Sequence, residues 1–343
     1  MTQSIDMRQL LTKVGSGAIL GPEEAKAAFQ LIMSGEATSA QMGALLMGLR
    51  VRGETIEELK AGAIVMREKA TVVDAPDMAI DTCGTGGDAS GTYNISTAAA
   101  FIVAAAGVPV AKHGNRALSS KSGSADVLSA LGVKIDLPVD LVRDCMWNIG
   151  IGFLMAPRHH PAMRHVASVR VELGTRTIFN LLGPLANPAE TKYQLLGVYD
   201  KKWIEPMAAV LGQLGAKRAW VVHGSDGLDE ITTTGPTFVA DWSGSSVKTF
   251  QIKPEELGLR VADPSELKGG EAAYNADAIL RLFDGEKGAF RDIVLLNAAA
   301  ALVITNKVAT LPEGLELAAK LIDEKAAKAK LQSLILASNQ GHV

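Results

Sequence analysis

Cysteine and aromatic residues are scarce in this chain of 343 residues. Its two cysteines, Cys83 and Cys145, are too few for a disulfide framework or a zinc ligand set. Aromatic residues make up 5% of the sequence, whereas alanine and glycine are abundant, and this composition favours closely packed helices over a β-sandwich. We interpret Cys83, beside a glycine-rich stretch, as a small buried residue at a strand end and not as a nucleophile.

The chain also lacks a strong charge imbalance and a long apolar run. It carries 37 acidic and 34 basic residues, a formal net charge of -3, which gives no general attraction to nucleic acid or to an anionic membrane. The longest apolar runs, near 98–111 and 293–304, are too short to span a bilayer, and residues 1–8 are polar, unlike a signal peptide. We therefore expect a soluble cytoplasmic protein without nucleic-acid or membrane partners, in which any basic site is local.

Helical and mixed patterns follow each other along the sequence. The first seventy residues read as helices only, with Pro22 just inside the second helix and Thr55 as N-cap of the fourth. After a break at 74–77, short strands, glycine loops and helices alternate, which predicts a mostly parallel sheet covered by helices. The candidate strands are 79–82, 108–112, 133–135, 152–155, 195–199, 219–223 and 247–252.

The predicted fold class is α/β, with a small all-helical domain and a larger α/β domain whose central sheet is mostly parallel. The helical domain covers 1–73, and 160–190 is expected to pack back onto it. The α/β domain covers 74–159 and 191–343. With 48% hydrophobic residues, the composition supplies a substantial core for two domains of these sizes.

Three loops rich in glycine, hydroxyl and cationic residues lie between apolar segments within 81–126. They contain Gly84-Thr-Gly-Gly-Asp88, Asn94-Ile-Ser-Thr97, and Lys112-His-Gly-Asn-Arg116 followed by Ser119-Ser-Lys-Ser-Gly-Ser124. Glycine lets backbone N–H groups approach an anion, hydroxyls donate to its oxygens, and cations balance its charge. Each loop alone has an ordinary structural explanation, but three in succession indicate a ligand with more than one phosphate.

The second loop precedes an apolar segment that reads as a helix. Asn94, Ser96 and Thr97 are all good capping residues, so simple helix capping is one explanation. A buried helix N-terminus beside the free amides of 84–88 would instead bind an anion. Neither loop has the spacing of a dinucleotide-binding fingerprint or of a P-loop.

Adjacent carboxylates follow the apolar strand at 219–222. The segment reads His223-Gly-Ser-Asp-Gly-Leu-Asp229-Glu230. Such a pair is often a hydrated turn, yet beside phosphate loops it indicates Mg²⁺, which takes a few carboxylates together with phosphate oxygens. We choose Asp229 and Glu230 as the pair, with Ser96 as a hydroxyl ligand.

A cationic series runs through 158–176 on a segment that reads as a helix. Its members are Arg158, Arg164, Arg170 and Arg176, and their spacing prevents them from sharing one helix face. Most are explained as surface or hinge residues, and one arginine could hold a carboxylate through paired hydrogen bonds.

These motifs, taken in order, resemble those of the anthranilate phosphoribosyltransferases. The resemblance covers nearly the whole chain and includes the three loops, Gly123-Ser-Ala-Asp126, Arg158-His-His-Pro-Ala-Met163, Arg176-Thr-Ile-Phe-Asn180 with the residues up to Pro188, and Asp226-Gly-Leu-Asp229-Glu230. It implies transfer of the phosphoribosyl group from 5-phosphoribosyl 1-diphosphate (PRPP) to anthranilate in tryptophan biosynthesis. It also implies Mg²⁺ as cofactor and a homodimer built through the helical domain.

The resemblance further implies roles for individual residues, while none is assigned as a general acid or base. Anthranilate would meet Gly84, His113, Asn115 and Arg170, and Mg²⁺ would fall to Ser96, Asp229 and Glu230. The α/β domain would bind PRPP through Gly84, Gly87, Asp88, Thr92, Asn94, Ile95, Ser96, Thr97, Lys112, His113, Gly114, Asn115, Arg116, Ala117, Leu118, Ser119, Ser120 and Ser124.

Three other functions fit parts of the sequence. A nucleoside phosphorylase shares the fold, and thymidine with phosphate would separate it from the transferase. A non-catalytic nucleic-acid-binding relative would need a broad basic surface, which the charge balance does not give. A purely structural helical dimer leaves the three anion loops unexplained.

Overall fold

The chain folds into two compact units. The computed structural model describes residues 5–88, 90–117 and 121–340. The helical unit comprises Met1–Val72 and Pro157–Pro188, and the sheet unit comprises Val73–Ala156 and Ala189–Val343.

Over the described residues the chain forms fifteen α-helices and seven strands. The helices are α1 (Met7–Gly15), α2 (Pro22–Ser34), α3 (Ser39–Arg52), α4 (Ile56–Glu68), α5 (Ile95–Ala105), α6 (Ser124–Ala130), α7 (Val139–Asp144), α8 (Ala156–His159), α9 (Arg164–Leu173), α10 (Ile178–Leu185), α11 (Ile204–Gln213), α12 (Ala272–Phe283), α13 (Ala289–Ile304), α14 (Leu311–Asp323) and α15 (Ala326–Gln340). The strands are β1 (Ile80–Gly84), β2 (Val110–Gly114), β3 (Ile151–Met155), β4 (Tyr193–Gly197), β5 (Arg218–Gly224), β6 (Thr237–Trp242) and β7 (Val247–Ile252). None of these helices is both long enough and apolar enough to cross a lipid bilayer.

The helical unit is held by capped helices that approach each other closely. Thr55 caps α4 as predicted, since its hydroxyl accepts a hydrogen bond from the Glu58 N–H at 3.3 Å. Gly62 of α4 lies so near α10 that a Cβ there would be 2.7 Å from Leu182 Cδ1. The absence of a side chain at this position therefore sets the distance between the two helices.

The sheet unit contains one seven-stranded sheet in the order β3-β2-β1-β4-β5-β6-β7. Strands β1 to β5 are parallel, and β6 and β7 continue the sheet as antiparallel neighbours. Helix α13 packs against α5 and α14 in the apolar core of this unit. The predicted α/β fold class, with a helical domain and a mostly parallel sheet, is confirmed.

Two strand predictions differ from the structure. The predicted strand at 133–135 is wrong, because its N–H groups bind elsewhere: that of Val133 donates to Leu128 O at 3.0 Å and that of Lys134 to Ser338 Oγ at 3.1 Å. The strand β6 was missing from the prediction. It pairs with β5 and with β7, which was correctly placed at Val247–Ile252.

Candidate active site

Four of the five parallel strands end in glycine, at the edge where open α/β sheets bind ligands. These glycines are Gly84, Gly114, Gly197 and Gly224. After β1 the chain moves outward to β2 and β3, whereas β4 returns to the other side of β1. The carboxyl ends of β1 and β4 thus flank a topological switch point, where a crevice opens in folds of this kind.

The loop carrying Asp229 lies directly on this switch point. A Cβ on Gly197 would overlap the backbone carbonyl oxygen of Asp229, and a Cβ on Gly84 would overlap its carboxylate. Only glycine leaves room for the loop at the ends of β1 and β4. The predicted carboxylate segment is therefore seated where the fold places a ligand.

Both predicted carboxylates accept hydrogen bonds from backbone amides of the glycine loops. Asp229 Oδ2 accepts from the Gly86 N–H at 2.7 Å, and Glu230 Oε1 accepts from the Ser96 N–H at 3.0 Å. Gly86 and Gly87 have φ angles of 67° and 75°, a left-handed conformation that glycine adopts more readily than other residues. The amides predicted to bind phosphate are thus close to the acidic pair.

Helix α5 is capped differently from the prediction. Asn94 is its N-cap residue, but its side chain makes no capping hydrogen bond. Its Nδ2 donates instead to Ser122 O at 3.2 Å, and its Oδ1 accepts from Asn275 Nδ2 at 2.9 Å. Glu230, distant in sequence, supplies the acceptor at the helix terminus, because it binds the Ser96 N–H.

Lys112 lies within β2, near the acidic pair, and not in a surface loop. Its side chain is buried, and its Nζ donates to Thr82 O at 2.5 Å and to Ser96 Oγ at 3.3 Å. Burial lowers the pKa of this ammonium group, and the carboxylates of Asp81 and Glu230 oppose that effect. One lysine thus faces several acidic groups in a poorly hydrated region.

The surroundings of the acidic pair disfavour the ionised form of both carboxylates. Burial, reinforced by the nearby Asp88, raises the pKa of Asp229 to about 7. Burial and the neighbouring Asp229 raise the pKa of Glu230 to about 8. A cation at this point would stabilise both ionised carboxylates.

The donor atoms here fit Mg²⁺. Carboxylate and hydroxyl oxygens are the ligands this ion prefers, and Ser96 contacts both Glu230 and Lys112 through its amide and hydroxyl. Among the residues that the structure describes, no group of three or more His, Cys, Asp or Glu side chains could hold a metal ion. An ion bound here would complete its coordination with water or with oxygens of a ligand.

Residues before α5 are hydrogen-bonded to the segment 268–275, which sequence reasoning missed. The Gly269 N–H donates to Gly91 O at 2.9 Å, Lys268 Nζ donates to Ser90 O at 2.5 Å, and Asn275 binds Asn94. The predicted residues Asp88 and Thr92 lie in this loop, where the Ser90 hydroxyl donates to Asp88 Oδ2 at 2.6 Å and lies 3.3 Å from Thr92 Oγ1. No local sequence signal marks the bracing residues, because they are about 180 positions away.

Asp126 accepts hydrogen bonds from residues on both sides of the loop after β2. Its Oδ2 accepts from the Ala117 N–H at 2.9 Å and from the Gly123 N–H at 3.0 Å, and its Oδ1 accepts from Arg116 at 2.9 Å. Ser124 Oγ lies 3.4 Å from Asn115 O, which ties the two ends of the loop together. The predicted Leu118, Ser119 and Ser120 lie outside the described residues.

The remaining predicted residues divide between the two units. Ile95 and Thr97 are buried in the first turn of α5, and His113 and Gly114 end β2, where the His113 N–H donates to Asp81 Oδ1 at 3.2 Å. Arg170 belongs to the helical unit, in the last turn of α9. Its guanidinium carbon lies 5.7 Å from the centre of the Phe179 ring, and burial lowers its pKa.

Comparison with known proteins gives matches over nearly the whole chain. Residues 76–328 match the family model "Glycosyl transferase family, a/b domain", and residues 8–70 match "Glycosyl transferase family, helical bundle domain". The anthranilate phosphoribosyltransferase of Azospirillum brasilense is 62% identical over 334 residues, covering 97% of this chain and 94% of the relative.

Two solved structures are similar in fold. That of anthranilate phosphoribosyltransferase from Thermus thermophilus has a TM-score of 0.91 and 43% identity, covering 96% of this chain and 99% of its own. That of anthranilate phosphoribosyltransferase from Saccharomyces cerevisiae, in complex with PRPP and Mg, has a TM-score of 0.89 and 27% identity, covering 97% and 98%.

Proposed function

The chain belongs to the anthranilate phosphoribosyltransferase family, and from this premise we propose how its residues perform the reaction. The enzyme transfers the 5-phosphoribosyl group of PRPP to the amino group of anthranilate, giving N-(5-phosphoribosyl)anthranilate and diphosphate in tryptophan biosynthesis. The observation that carries this assignment is the 62% identity to one such enzyme over 97% of the chain.

The sheet unit binds PRPP at the switch point between β1 and β4. The amides of the loops at 84–88 and 94–97 and the cation of Lys112 are the groups suited to its phosphates. Asp229, Glu230 and Ser96 would hold Mg²⁺, and its positive charge would oppose the effect of burial, which raises the pKa of both carboxylates. When bound, Mg²⁺ neutralises charge on the departing diphosphate.

Neutralisation of the leaving group is the main task of the site. The bond between ribose C1 and the diphosphate oxygen breaks, and its electron pair leaves with the diphosphate. Loop amides and Lys112 stabilise that negative charge where it accumulates. The amine nitrogen then bonds to C1, which is oxocarbenium-like, and loses its proton to solvent or diphosphate.

Anthranilate needs orientation more than activation. Its aromatic amine is neutral near pH 7 and is already a nucleophile, so no side chain is assigned as general base. Arg170 is the group suited to its carboxylate, through paired hydrogen bonds. Holding the amine in line with C1 can contribute several powers of ten to the rate.

An assay of anthranilate fluorescence tests this function. Loss of fluorescence is expected only when PRPP and Mg²⁺ are both present. Turnover of thymidine with phosphate, without turnover of anthranilate, would assign the protein to the nucleoside phosphorylases instead.

The enzyme acts as a homodimer through its helical unit. Val51 on α3 and Val171 on α9 support this proposal, since they are 82% and 76% exposed in the single chain. Val51→Glu with Val171→Glu is expected to give monomers in sedimentation, whereas Val261→Glu, in the sheet unit, leaves the dimer intact. Unchanged sedimentation of the double variant would contradict this interface.

The cytoplasm is the proposed place of action, because both substrates are charged at neutral pH and do not cross membranes unaided.

A further inference from the structure

The core helix α13 carries one amide side chain among apolar residues. Asn297 is fully buried, and all the other residues from Ile293 to Ile304 are buried as well. A buried amide costs about 1–3 kcal/mol if it is left without partners, so each of its polar atoms needs a hydrogen bond.

Both polar atoms of this amide bind the same residue. Asn297 Oδ1 accepts from the Ile231 N–H at 3.0 Å, and Asn297 Nδ2 donates to Ile231 O at 2.8 Å. Nδ2 also donates to Ile293 O, one turn earlier in α13, at 2.9 Å. The side chain thus pairs with Ile231 as a neighbouring strand would, while remaining attached to a rigid helix.

Ile231 follows Glu230 directly, outside any strand or helix. On the other side of the pair, the Asp229 backbone rests on Gly197, where a Cβ would overlap it. The acidic residues are therefore fixed from two sides, by the close approach to β4 and by the amide of α13. Loss of the amide would leave the Ile231 N–H and C=O unpaired in an apolar core.

We propose that Asn297 is a positioning residue that fixes Asp229 and Glu230 for a divalent cation. The inference rests on the proposed function and adds a residue that touches neither substrate nor metal. Mg²⁺ demands near-ideal octahedral geometry, so a small displacement of two carboxylates weakens its binding. Residues that orient metal ligands from behind typically contribute 10–100-fold to metal affinity or activity.

Asn297→Leu, of similar volume, tests this role against a purely structural one. Thr305→Val is the matched control, because the Thr305 hydroxyl is also buried and bonded at the far end of the same helix, to Ala301 O at 2.9 Å. Mn²⁺ binding is followed by electron paramagnetic resonance. The Mg²⁺ dependence of turnover is measured by steady-state kinetics, and the melting temperature of each variant is recorded alongside. We expect Asn297→Leu to weaken Mn²⁺ binding and to raise the half-saturating Mg²⁺ concentration about 10–100-fold, with the control unchanged.

An unshifted metal affinity in Asn297→Leu would overturn the inference, and so would an equal shift in Thr305→Val. Should Asn297→Leu not fold, Asn297→Asp is measured in the same way, since it keeps an acceptor for Ile231 but loses the donor. Unchanged Mn²⁺ affinity in that variant contradicts the role. Failure of the proposed function is distinguishable, because the wild-type protein itself would then show no turnover of anthranilate.

Discussion

The carboxylate of Asp229 is joined to the backbone N–H of Gly86 by a hydrogen bond of 2.7 Å. The two residues come from loops that follow β5 and β1, so this bond crosses the carboxyl edge of the sheet over β4. Because Mg²⁺ and phosphate oxygens would compete for the same two groups, the bond marks the place where ligand binding must rearrange the site.

The close approach of Gly197 to Asp229 predicts the effect of adding one methyl group. Gly197→Ala would displace the acidic loop, and we expect kcat/KM to fall at least about 100-fold, as for misplaced catalytic groups. Gly15→Ala is the control, since its Cβ would meet nothing within 4 Å. Steady-state kinetics of both variants measures this, and near-normal turnover of Gly197→Ala would show that the loop position is unimportant.

The amide pair of Asn94 and Asn275 predicts a defect in donor binding. Asn275→Leu removes the donor to Asn94 Oδ1 and the acceptor of the Gly270 N–H, so we expect the KM for PRPP to rise about tenfold, equivalent to about 1.4 kcal/mol. Tyr274→Phe serves as the control, because it removes only a hydroxyl contact with Tyr93. If the KM for PRPP were the same in both variants, Asn275 would have no role in donor binding.

The hydrogen bonds that Asp126 accepts predict a similar defect in donor binding. Asp126→Ala frees the amides of Ala117 and Gly123 and the side chain of Arg116, so the loop loses its common acceptor. We expect weaker PRPP binding, by about 1–3 kcal/mol in calorimetry, with little change in melting temperature. Unaltered PRPP affinity would mean that this loop does not contribute to donor binding.

A buried histidine of the helical unit predicts how stability depends on pH. Burial, with the neighbouring His159, lowers the pKa of His160 from 6.5 to about 4. Between these values the unfolded chain binds a proton that the native state does not, so stability falls as the pH falls through this window. Each such group contributes up to about 1.4 kcal/mol per pH unit to the free energy of unfolding.

Urea titrations from pH 7 to pH 4.5 measure that slope. His160→Gln cannot titrate and is expected to give a shallower dependence than the wild type, whatever its absolute stability. Parallel profiles for the two proteins would contradict the assignment to His160.

Arg170 is expected to act on the acceptor and not on the donor. Arg170→Ala should raise the KM for anthranilate about tenfold or more and leave the KM for PRPP nearly unchanged, because only anthranilate carries a carboxylate. Arg8→Ala, an exposed arginine of the same unit, is the control. An unchanged KM for anthranilate would remove Arg170 from the site.

Local patterns identified the parts of the site that are contiguous in sequence. Asp229 and Glu230 were predictable because carboxylates follow an apolar strand, and Ser96 because a capping sequence precedes an apolar helix. The structure adds that Glu230, and not Asn94, binds the amide at the start of that helix. A single sequence cannot indicate this pairing, since it depends on how the strands are ordered.

The bracing residues could not have been found in the same way. Asn297 lies in an apolar helix and Asn275 near the start of another, and each is explained only by a partner distant in sequence. The strand predicted at 133–135 failed for a different reason. The segment does have the apolar pattern of a strand, but the N–H groups of Val133 and Lys134 bind the end of a helix and a side chain and not a neighbouring strand.

Crystals grown with PRPP and Mn²⁺ would test the central claim most directly. The anomalous scattering of Mn²⁺ locates the ion without reference to any assumed mechanism. We predict a peak bound to carboxylate oxygens of Asp229 or Glu230, with the diphosphate of PRPP beside the loops at 84–88 and 94–97. A donor bound elsewhere, or an ion distant from both carboxylates, would contradict the account.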